Sequence, residues 1–354
     1  MRRKGDHVTS PSPADSHPAL PELLKRRVTL RDVAQQAGVS TATASKALNN
    51  RVHVRASTRQ RVIEIAEQLH FHPNELARGL SAQQTGTVGL ITGDLEGRFS
   101  LPILMGAEDA FGTGRVSVFL CDARGDAIRE QYHLNALLRR NVDGLIVVGA
   151  LTNAREPIAT DLPVPVVYAY APSTNPKDIS VVPDDVAAGA DATRYLLNQG
   201  RTHLAHISGD ATYTAAQERA QGVREALAER GLSLIDDTTH FGNWSEHWGR
   251  SVTERLIDRY PNLDGIVCGN DQISRGALDA LQKAGWDVPS RVALLGFDNW
   301  EVLTTGSRPQ LTSVDLNFEK LGREAARLLF EMMDGTVEPG VRRIGSRIVT
   351  RESA

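Results

Sequence analysis

Residues 28–50 read VTLRDVAQQAGVSTATASKALNN, a stretch that spells out two short helices and a tight corner between them. Thr29 stands where an N-cap hydroxyl is wanted, and Asp32 follows at the spacing of an acid that answers the cap. Leu30, Val33, Ala34 and Ala37 then recur at helical spacing and make one face apolar. Gly38 is placed to end that helix in the left-handed conformation, with Val39 plugging the corner. Ser40 caps the second helix, whose inward face is Ala44, Ala47 and Leu48. Its outward face is Thr41, Ala42, Ser45, Lys46 and Asn49. A third helix is expected from Ser57 to Leu69, with Val62, Ile65, Ala66 and Leu69 inward. Arg55, Arg59 and Arg61 lie around its start, and Pro73 stops it.

Two helices joined by a glycine-containing turn are the geometry that lays a second helix in a major groove. The outward face is short, polar and basic, which suits base edges and phosphates. Spacing alone also admits a three-helix module that binds protein. Charge favours DNA. Residues 1–81 hold 13 Lys and Arg against 7 Asp and Glu, a net of +6, whereas the remainder holds 27 against 36, a net of −9. A basic head on an acidic body points to a polyanion partner for the head.

TLRDVAQQAGVS, the S/K-A-LN run that follows, and TRQRVIEIAEQLHFHPNELARGL together resemble the head of the LacI/GalR family of bacterial repressors. The resemblance extends more weakly along nearly the whole chain. It implies that Thr41, Ala42 and Lys46 read bases. It also implies that Thr29, Arg31, Ser40, Thr43, Ser45, Asn49, His53 and Thr58 contact phosphates or support the docked head. Asn74 to Ser81, with Asn74 and Arg78 among the contacts, matches a hinge that becomes helical on operator DNA. Leu80 matches a leucine wedged into the minor groove, where it opens and kinks the central step. Two departures bear on the operator. Lys46 stands where many relatives carry Arg and offers a point charge without the bidentate guanine fork. Gly79 raises the cost of folding the hinge by about 1 kcal/mol.

From Thr87 the pattern becomes strand, helix, strand, repeated. VGLITGD, VSVFLCD, VDGLIVVGA and PVVYAY form one series of apolar runs, and LAHISGD, GIVCGN and VALLGFDN form a second. Helical stretches such as Pro102–Phe111, Ile128–Arg140 and DQISRGALDALQKAGW separate them. The expected class is α/β: a helix-turn-helix head and hinge, then two lobes of parallel sheet flanked by helices. The expected divisions are a basic tail at 1–27, the head at 28–73, the hinge at 74–86 and the core at 87–354. Within the core, one lobe is expected at 87–170 plus 301–330. The other is expected at 171–300 plus the C-terminal strand.

Ligands of such folds bind at the carboxyl ends of the strands. Those positions hold Asp94, Gly209-Asp210, Asn270-Asp271 and Asp298-Asn299, with Phe99, Tyr168, Trp244, Trp248, Phe297 and Trp300 as nearby aromatics. Acidic and amide acceptors beside rings suit a carbohydrate. For any one Asp or Asn the plain alternative is strand-end turn chemistry. The family resemblance implies an effector-gripping role for Arg219, pocket positions for Asn270 and Asp298, and ring stacking for Trp244. Phe99 matches a pocket-lining aromatic. The expected effector set is therefore Asp94, Phe99, Tyr168, Arg219, Trp244, Asn270, Asp271 and Asp298. The body is similar to periplasmic sugar-binding proteins, with lobe crossings expected near Tyr170, near Trp300 and in the C-terminal part.

No phosphate loop, GxGxxG, GxSxG or HExxH motif occurs, so an enzyme is not expected. His203 and His206 would point to opposite faces of a strand, so a shared metal is not expected, and no cofactor is implied. Cys121 and Cys268 lie far apart in apolar runs, expected as buried small hydrophobes in a reducing compartment. No stretch approaches the ~20 apolar residues of a membrane span, and the tail at 1–27 does not read as a signal peptide. The expectation is a cytoplasmic homodimer on palindromic double-stranded operator DNA, switched by a small molecule. A mono- or oligosaccharide is the first choice of effector. A nucleobase or phosphorylated co-repressor is the alternative, against which Asp94, Asp271 and Asp298 argue, and an effector-independent regulator is a third possibility. IGSRIVTRESA holds no leucine heptads, so nothing suggests the helical tail that makes some relatives in that family tetramers.

Overall fold

The computed structural model describes residues 28–48, 54–69, 71, 85–95, 98–112, 116–335 and 337–354. The chain divides into two compact units, residues 1–81 and 82–354.

The first unit contains α1 (Leu30–Gln36), α2 (Thr41–Leu48) and α3 (Ala56–Gln68). A reciprocal cap starts α1: the Asp32 amide donates to Thr29 Oγ1, and the Thr29 amide donates to Asp32 Oδ2 at 2.8 Å. Gly38 adopts φ +66°, the left-handed corner that glycine reaches without strain. Ser40 Oγ accepts from the Thr43 amide at 3.1 Å and so opens α2. Val33, Ala34, Ala37, Ala44, Ala47, Val62 and Ala66 form the small core, with Val39 packed against it.

The second unit holds two six-stranded sheets. The first is ordered β11-β5-β4-β3-β1-β2 and is parallel throughout. Its strands are β1 (Thr87–Thr92), β2 (Ser117–Asp122), β3 (Gly144–Val148), β4 (Val166–Ala169), β5 (Ile179–Pro183) and β11 (Gly340–Ile344). The second is ordered β12-β10-β9-β8-β6-β7 and is parallel except where β12 meets β10. Its strands are β6 (Leu204–Ile207), β7 (Thr239–His240), β8 (Gly265–Cys268), β9 (Ala293–Phe297), β10 (Thr312–Asp315) and β12 (Arg347–Val349). The strands buried on both faces, such as β3 and β9, are the continuous apolar runs that parallel sheets require.

Helices cover both sheets: α4 (Ser100–Phe111), α5 (Ala127–Leu138) and α11 (Phe318–Asp334) on the first. On the second lie α6 (Asp185–Asn198), α7 (Thr214–Ala228), α8 (Glu246–Arg259) and α9 (Asp271–Lys283), with the short α10 (Glu301–Thr304). Three helix pairs cross through reciprocal glycines. A Cβ on Gly106 of α4 would strike the Glu319 carbonyl at 1.9 Å, and one on Gly322 of α11 would strike that of Ile103 at 2.0 Å. Gly189 and Gly222 do the same for α6 and α7, as do Gly249 and Gly276 for α8 and α9. Backbone meets backbone at each crossing.

The crossings differ from the expected ones. The chain does not leave the first lobe near Tyr170, because β5 pairs in parallel with β4 and holds it there until Pro183. Nor does it return near Trp300: α10 follows β9, and β10 adds to the second sheet beside it. The return falls at Leu316–Asn317, where Asn317 takes φ +55° ahead of α11. The third crossing lies between β11 and β12. Cys268 is fully buried, as expected, but Cys121 is only half-buried because β2 is an edge strand.

Candidate functional site: a cleft between two lobes

The carboxyl ends of both sheets face one cavity of about 350 Å³. The first lobe supplies Asp94 after β1, Arg98 and Phe99 before α4, Ala150 to Thr152 after β3, and Tyr170 after β4. The second supplies Tyr213, Ala215 and Arg219 around the start of α7, Trp244 before α8, Asn270 and Gln272 at the start of α9, and Asp298 and Trp300 after β9. Ligand binding at such strand ends is the general rule for open parallel sheets.

A line of alternating charge runs along the wall. Arg219 is buried, and its Nε donates to Asp185 Oδ1 at 2.7 Å while Nη1 donates to the Gly269 carbonyl at 2.6 Å. Nη1 also lies 3.7 Å from Asp298 Oδ1. Asp298 Oδ2 accepts from Arg98 Nη2 at 3.0 Å, so one carboxylate serves an arginine from each lobe. Burial works against the charge of Arg219, but Asp185 and Asp298 more than restore it and raise its pKa. Asp298 and Asn299 take φ +90° and +48°, successive left-handed residues that turn the Asp298 carboxylate toward the arginines. Phe297 is fully buried and lies under Arg219, 4.7 Å from its guanidinium carbon.

Rings make the rest of the wall. Arg98 stacks on Trp300, 4.3 Å from its centroid, and lies 5.3 Å from Phe99. Phe99 packs on Tyr170 at 5.0 Å and on Phe318 at 4.9 Å. Trp244 lies across Gly209, where a Cβ would meet the indole at 2.0 Å, and leans on Tyr213 at 5.7 Å. Further hydrogen bonds tie the lobes together at this cleft. Asn153 Nδ2 donates to the Thr212 carbonyl at 2.8 Å, its Oδ1 accepts from the Thr214 amide, and Thr152 Oγ1 accepts from the Ala215 amide.

Of the expected effector set, Asp94, Phe99, Arg219, Trp244, Asn270 and Asp298 line this cavity. Tyr168 does not: it is buried in the core beneath the first sheet, where its hydroxyl accepts from the Ile158 amide at 2.9 Å. Asp271 does not either. As the first residue of α9 its carboxylate turns beneath the wall, accepting from Ser313 Oγ at 2.6 Å and from the Trp300 amide at 2.7 Å. Burial, with Asp298 nearby, pushes it up to about 8. Asn270 carries a second duty, since its Oδ1 caps α9 by accepting from Ile273. Asp210 is spent on a strand-end turn with Thr212, and Trp248 donates to the Ser208 carbonyl. Arg98, Tyr170 and Tyr213 escaped the sequence reading. Tyr170 directly follows β4, and that place was the available signal, whereas Arg98 and Tyr213 lie well past the ends of β1 and β6 and carry no such mark.

In the head, Arg31 of α1 and Thr41, Ala42 and Lys46 of α2 are exposed, while Thr43, Ser45 and Thr58 are half-buried. Thr29 and Ser40 are exposed and serve as helix caps. Asn49, His53, Asn74, Arg78 and Leu80 lie outside the described residues. Among the described residues no cluster of His, Cys, Asp and Glu suits a metal ion, and no helix is long and apolar enough to cross a membrane. His206 is buried, its pKa lowered to about 3 chiefly by burial, while His203 lies at the surface near Asp264.

Residues 29–74 match the model of bacterial regulatory proteins, lacI family, and residues 193–354 match a periplasmic binding protein-like domain. The chain is 33% identical to catabolite control protein A of Priestia megaterium over 92% of its own length and 99% of that protein's. It is 30% identical to the HTH-type transcriptional regulator GalR of Escherichia coli K12, over 91% of this chain and 94% of that protein. Among solved structures, a transcriptional regulator CelR–cellobiose complex aligns with TM-score 0.64 at 29% identity, over 93% of this chain and all of that one. A lac repressor dimer bound to operator and the anti-inducer ONPF shares the fold, with TM-score 0.76 at 24% identity, over 93% of this chain and 99% of that one. A capped helix-turn-helix ahead of two parallel-sheet lobes, matched along more than nine-tenths of the chain, places this protein in the LacI family of bacterial regulatory proteins.

Proposed function

We propose that the chain is a ligand-responsive transcriptional repressor that binds a palindromic operator as a homodimer, with an uncharged saccharide as its effector. The organisation that goes with this reading is a head at 28–73, a hinge at 74–86 and a core from 87. Thr41, Ala42 and Lys46 would read base edges, with Arg31, Ser40, Thr43, Ser45 and Thr58 at or near the phosphates. The two relatives named above are a catabolite control protein and a transcriptional regulator, in keeping with a regulator that has no enzymatic activity and works in the cytoplasm where its operator lies.

The observation that carries the effector is the cavity wall. Its charged groups are two arginines and two aspartates, Arg98, Arg219, Asp94 and Asp298, and rings from both lobes accompany them. Balanced charge gives an anion no net attraction, whereas paired donors and acceptors beside an aromatic face suit hydroxyls on a ring. The cellobiose bound by the CelR neighbour is of this chemical class. The mechanism is linkage: an effector that favours one separation of the lobes changes the separation of the hinges across the dimer, and with it operator affinity.

The test is to select duplex DNA from a random library with the purified chain, then measure affinity with and without mono- and disaccharides, nucleobases and sugar phosphates. A two-fold symmetric site whose affinity changes ~5- to 150-fold with an uncharged saccharide is the expected result. A response confined to a nucleobase or a sugar phosphate overturns the saccharide assignment. Failure to enrich any symmetric site overturns the operator reading.

A further inference from the structure

We propose that Arg98 selects the effector and latches the two lobes together, an inference that rests on the cavity being the effector site. Arg98 belongs to the first lobe, but the contacts of its guanidinium with Asp298 and Trp300 belong to the second. Nη2 donates to Asp298 Oδ2 at 3.0 Å, and the guanidinium carbon lies 4.3 Å from the Trp300 centroid, with Phe99 of its own lobe 5.3 Å away. A cation set between rings from opposite lobes and paired with a carboxylate is a specific joint. Opening the cleft would pull it from Asp298 and Trp300 together.

The same residue bears on what the cavity accepts. Arg98 Nη1 is buried and has no acceptor among the described residues, and the same holds for Trp244 Nε1 on the second lobe. Both residues line the cavity. A buried donor without an acceptor is costly, so a ligand that offers oxygens to both is favoured over one that offers none. Net charge narrows the class further. The positive charge of Arg98 is matched by Asp298, which also lies near Arg219, and Arg219 is held by Asp185. No cation in this line is left to balance a phosphate or a carboxylate. The ligand class is an uncharged polyhydroxylated ring, one hydroxyl accepting from each lobe. By joining Arg98 to Trp244 it strengthens the joint that Arg98 already makes with Asp298.

Two measurements on the full chain test this separately. Spin labels at Ile128→Cys and His247→Cys, in a Cys121→Ser background, report the distance between the lobes. Arg98→Ala is expected to add a longer-distance population without any ligand, and Asp298→Asn to shift the distribution in the same direction. Binding is then measured with glucose, galactose, cellobiose, maltose and lactose against glucose 6-phosphate, glucuronate and adenine. An uncharged saccharide should bind the parent chain, and Arg98→Ala should weaken it tenfold or more. Arg98→Lys should not restore it, because an ammonium cannot hold the fork geometry. Unchanged distances in Arg98→Ala overturn the latch, whatever ligand binds. Saccharide affinity unchanged in Arg98→Ala, or tighter binding of glucose 6-phosphate than of glucose, overturns the selection role. A parent chain that binds adenine and no saccharide overturns the underlying effector reading, and the distances then decide the latch alone.

Discussion

Asp185 and Arg219 form a buried ion pair at the junction of α6 and α7, with Arg219 Nε donating to Asp185 Oδ1 at 2.7 Å. Their side chains are 1% and 4% exposed, so neither charge is solvated. The pair aims Arg219 at the cavity and fixes the first turn of α6 just after the chain has crossed between lobes. Removing Asp185 leaves the buried Arg219 guanidinium with the more distant carboxylate of Asp298, already shared with Arg98, whereas removing both partners leaves Asp298 to Arg98. Asp185→Ala is therefore expected to cost about 3–5 kcal/mol in urea unfolding. The double variant Asp185→Leu, Arg219→Met should recover most of that stability. It should not recover the effector response, which separates the structural role of the pair from its role in binding.

Trp244 owes its position to Gly209. A Cβ there would lie 2.0 Å from the fused ring carbons, the rigid body of the indole, so the ring must move rather than merely adjust. Gly209→Ala is expected to leave the fold intact, shift the tryptophan fluorescence maximum and weaken saccharide binding about tenfold. Stacking depends on the distance and tilt at which the ring face is presented. Equal affinity in parent and variant would show that Trp244 does not stack on the ligand.

How much of this was legible follows the range of the interactions. The caps at Thr29 and Ser40 and the left-handed Gly38 depend on residues three or four apart, and the sequence shows them directly. Asp94, Asn270 and Asp298 could be found because a strand end is itself legible and ligands gather there. Tyr168 and Tyr170 show the limit. Strict alternation puts residues two apart on one face, but Tyr170 lies past the end of β4 with φ +70° and breaks that pattern. It reaches the cavity while Tyr168 fills the core beneath the sheet. Asp271 misled for a similar reason, since a step of one residue around the start of a helix sends the side chain a different way. Arg98 was hidden because its partners lie about 200 residues further along, and no local pattern records them.

Asp271 carries a pH signature. Its pKa is pushed up to about 8 by burial, against an ordinary carboxylate value near 4. A carboxyl raised on folding contributes stability that is fully present below about pH 4. That contribution is lost progressively as pH rises towards about 8, because the unfolded chain gives up its proton first. Asp271→Asn has no proton to lose, and its amide can donate to Ser313 Oγ while its oxygen accepts from the Trp300 amide. The gap in melting temperature between variant and parent is expected to move in favour of the variant from pH 4 to pH 8. A gap that stays constant across that range would show Asp271 to be ionised throughout.

Lys46 and Thr29 separate DNA contact from helix integrity in the head. Thr29→Ala deletes the hydroxyl half of the reciprocal cap with Asp32 and should cost ~1 kcal/mol of stability, seen as a lower unfolding midpoint. Lys46 is exposed on α2, and its side chain takes no part in the apolar core of the head. Lys46→Ala should therefore leave the unfolding midpoint unchanged and act on DNA alone. If the ammonium reads a base edge, the variant loses about 1–3 kcal/mol against the selected operator and tolerates substitution at one symmetric position in each half-site. If it neutralises a phosphate, affinity falls evenly for all sequences. The slope of log affinity against log salt then shrinks by about one for each head. Binding isotherms at four salt concentrations, on the selected operator and on a scrambled duplex, distinguish the two. Because an ammonium lacks the paired donors that fix guanine, Lys46→Arg is expected to tighten binding only to operators that carry a G at that position.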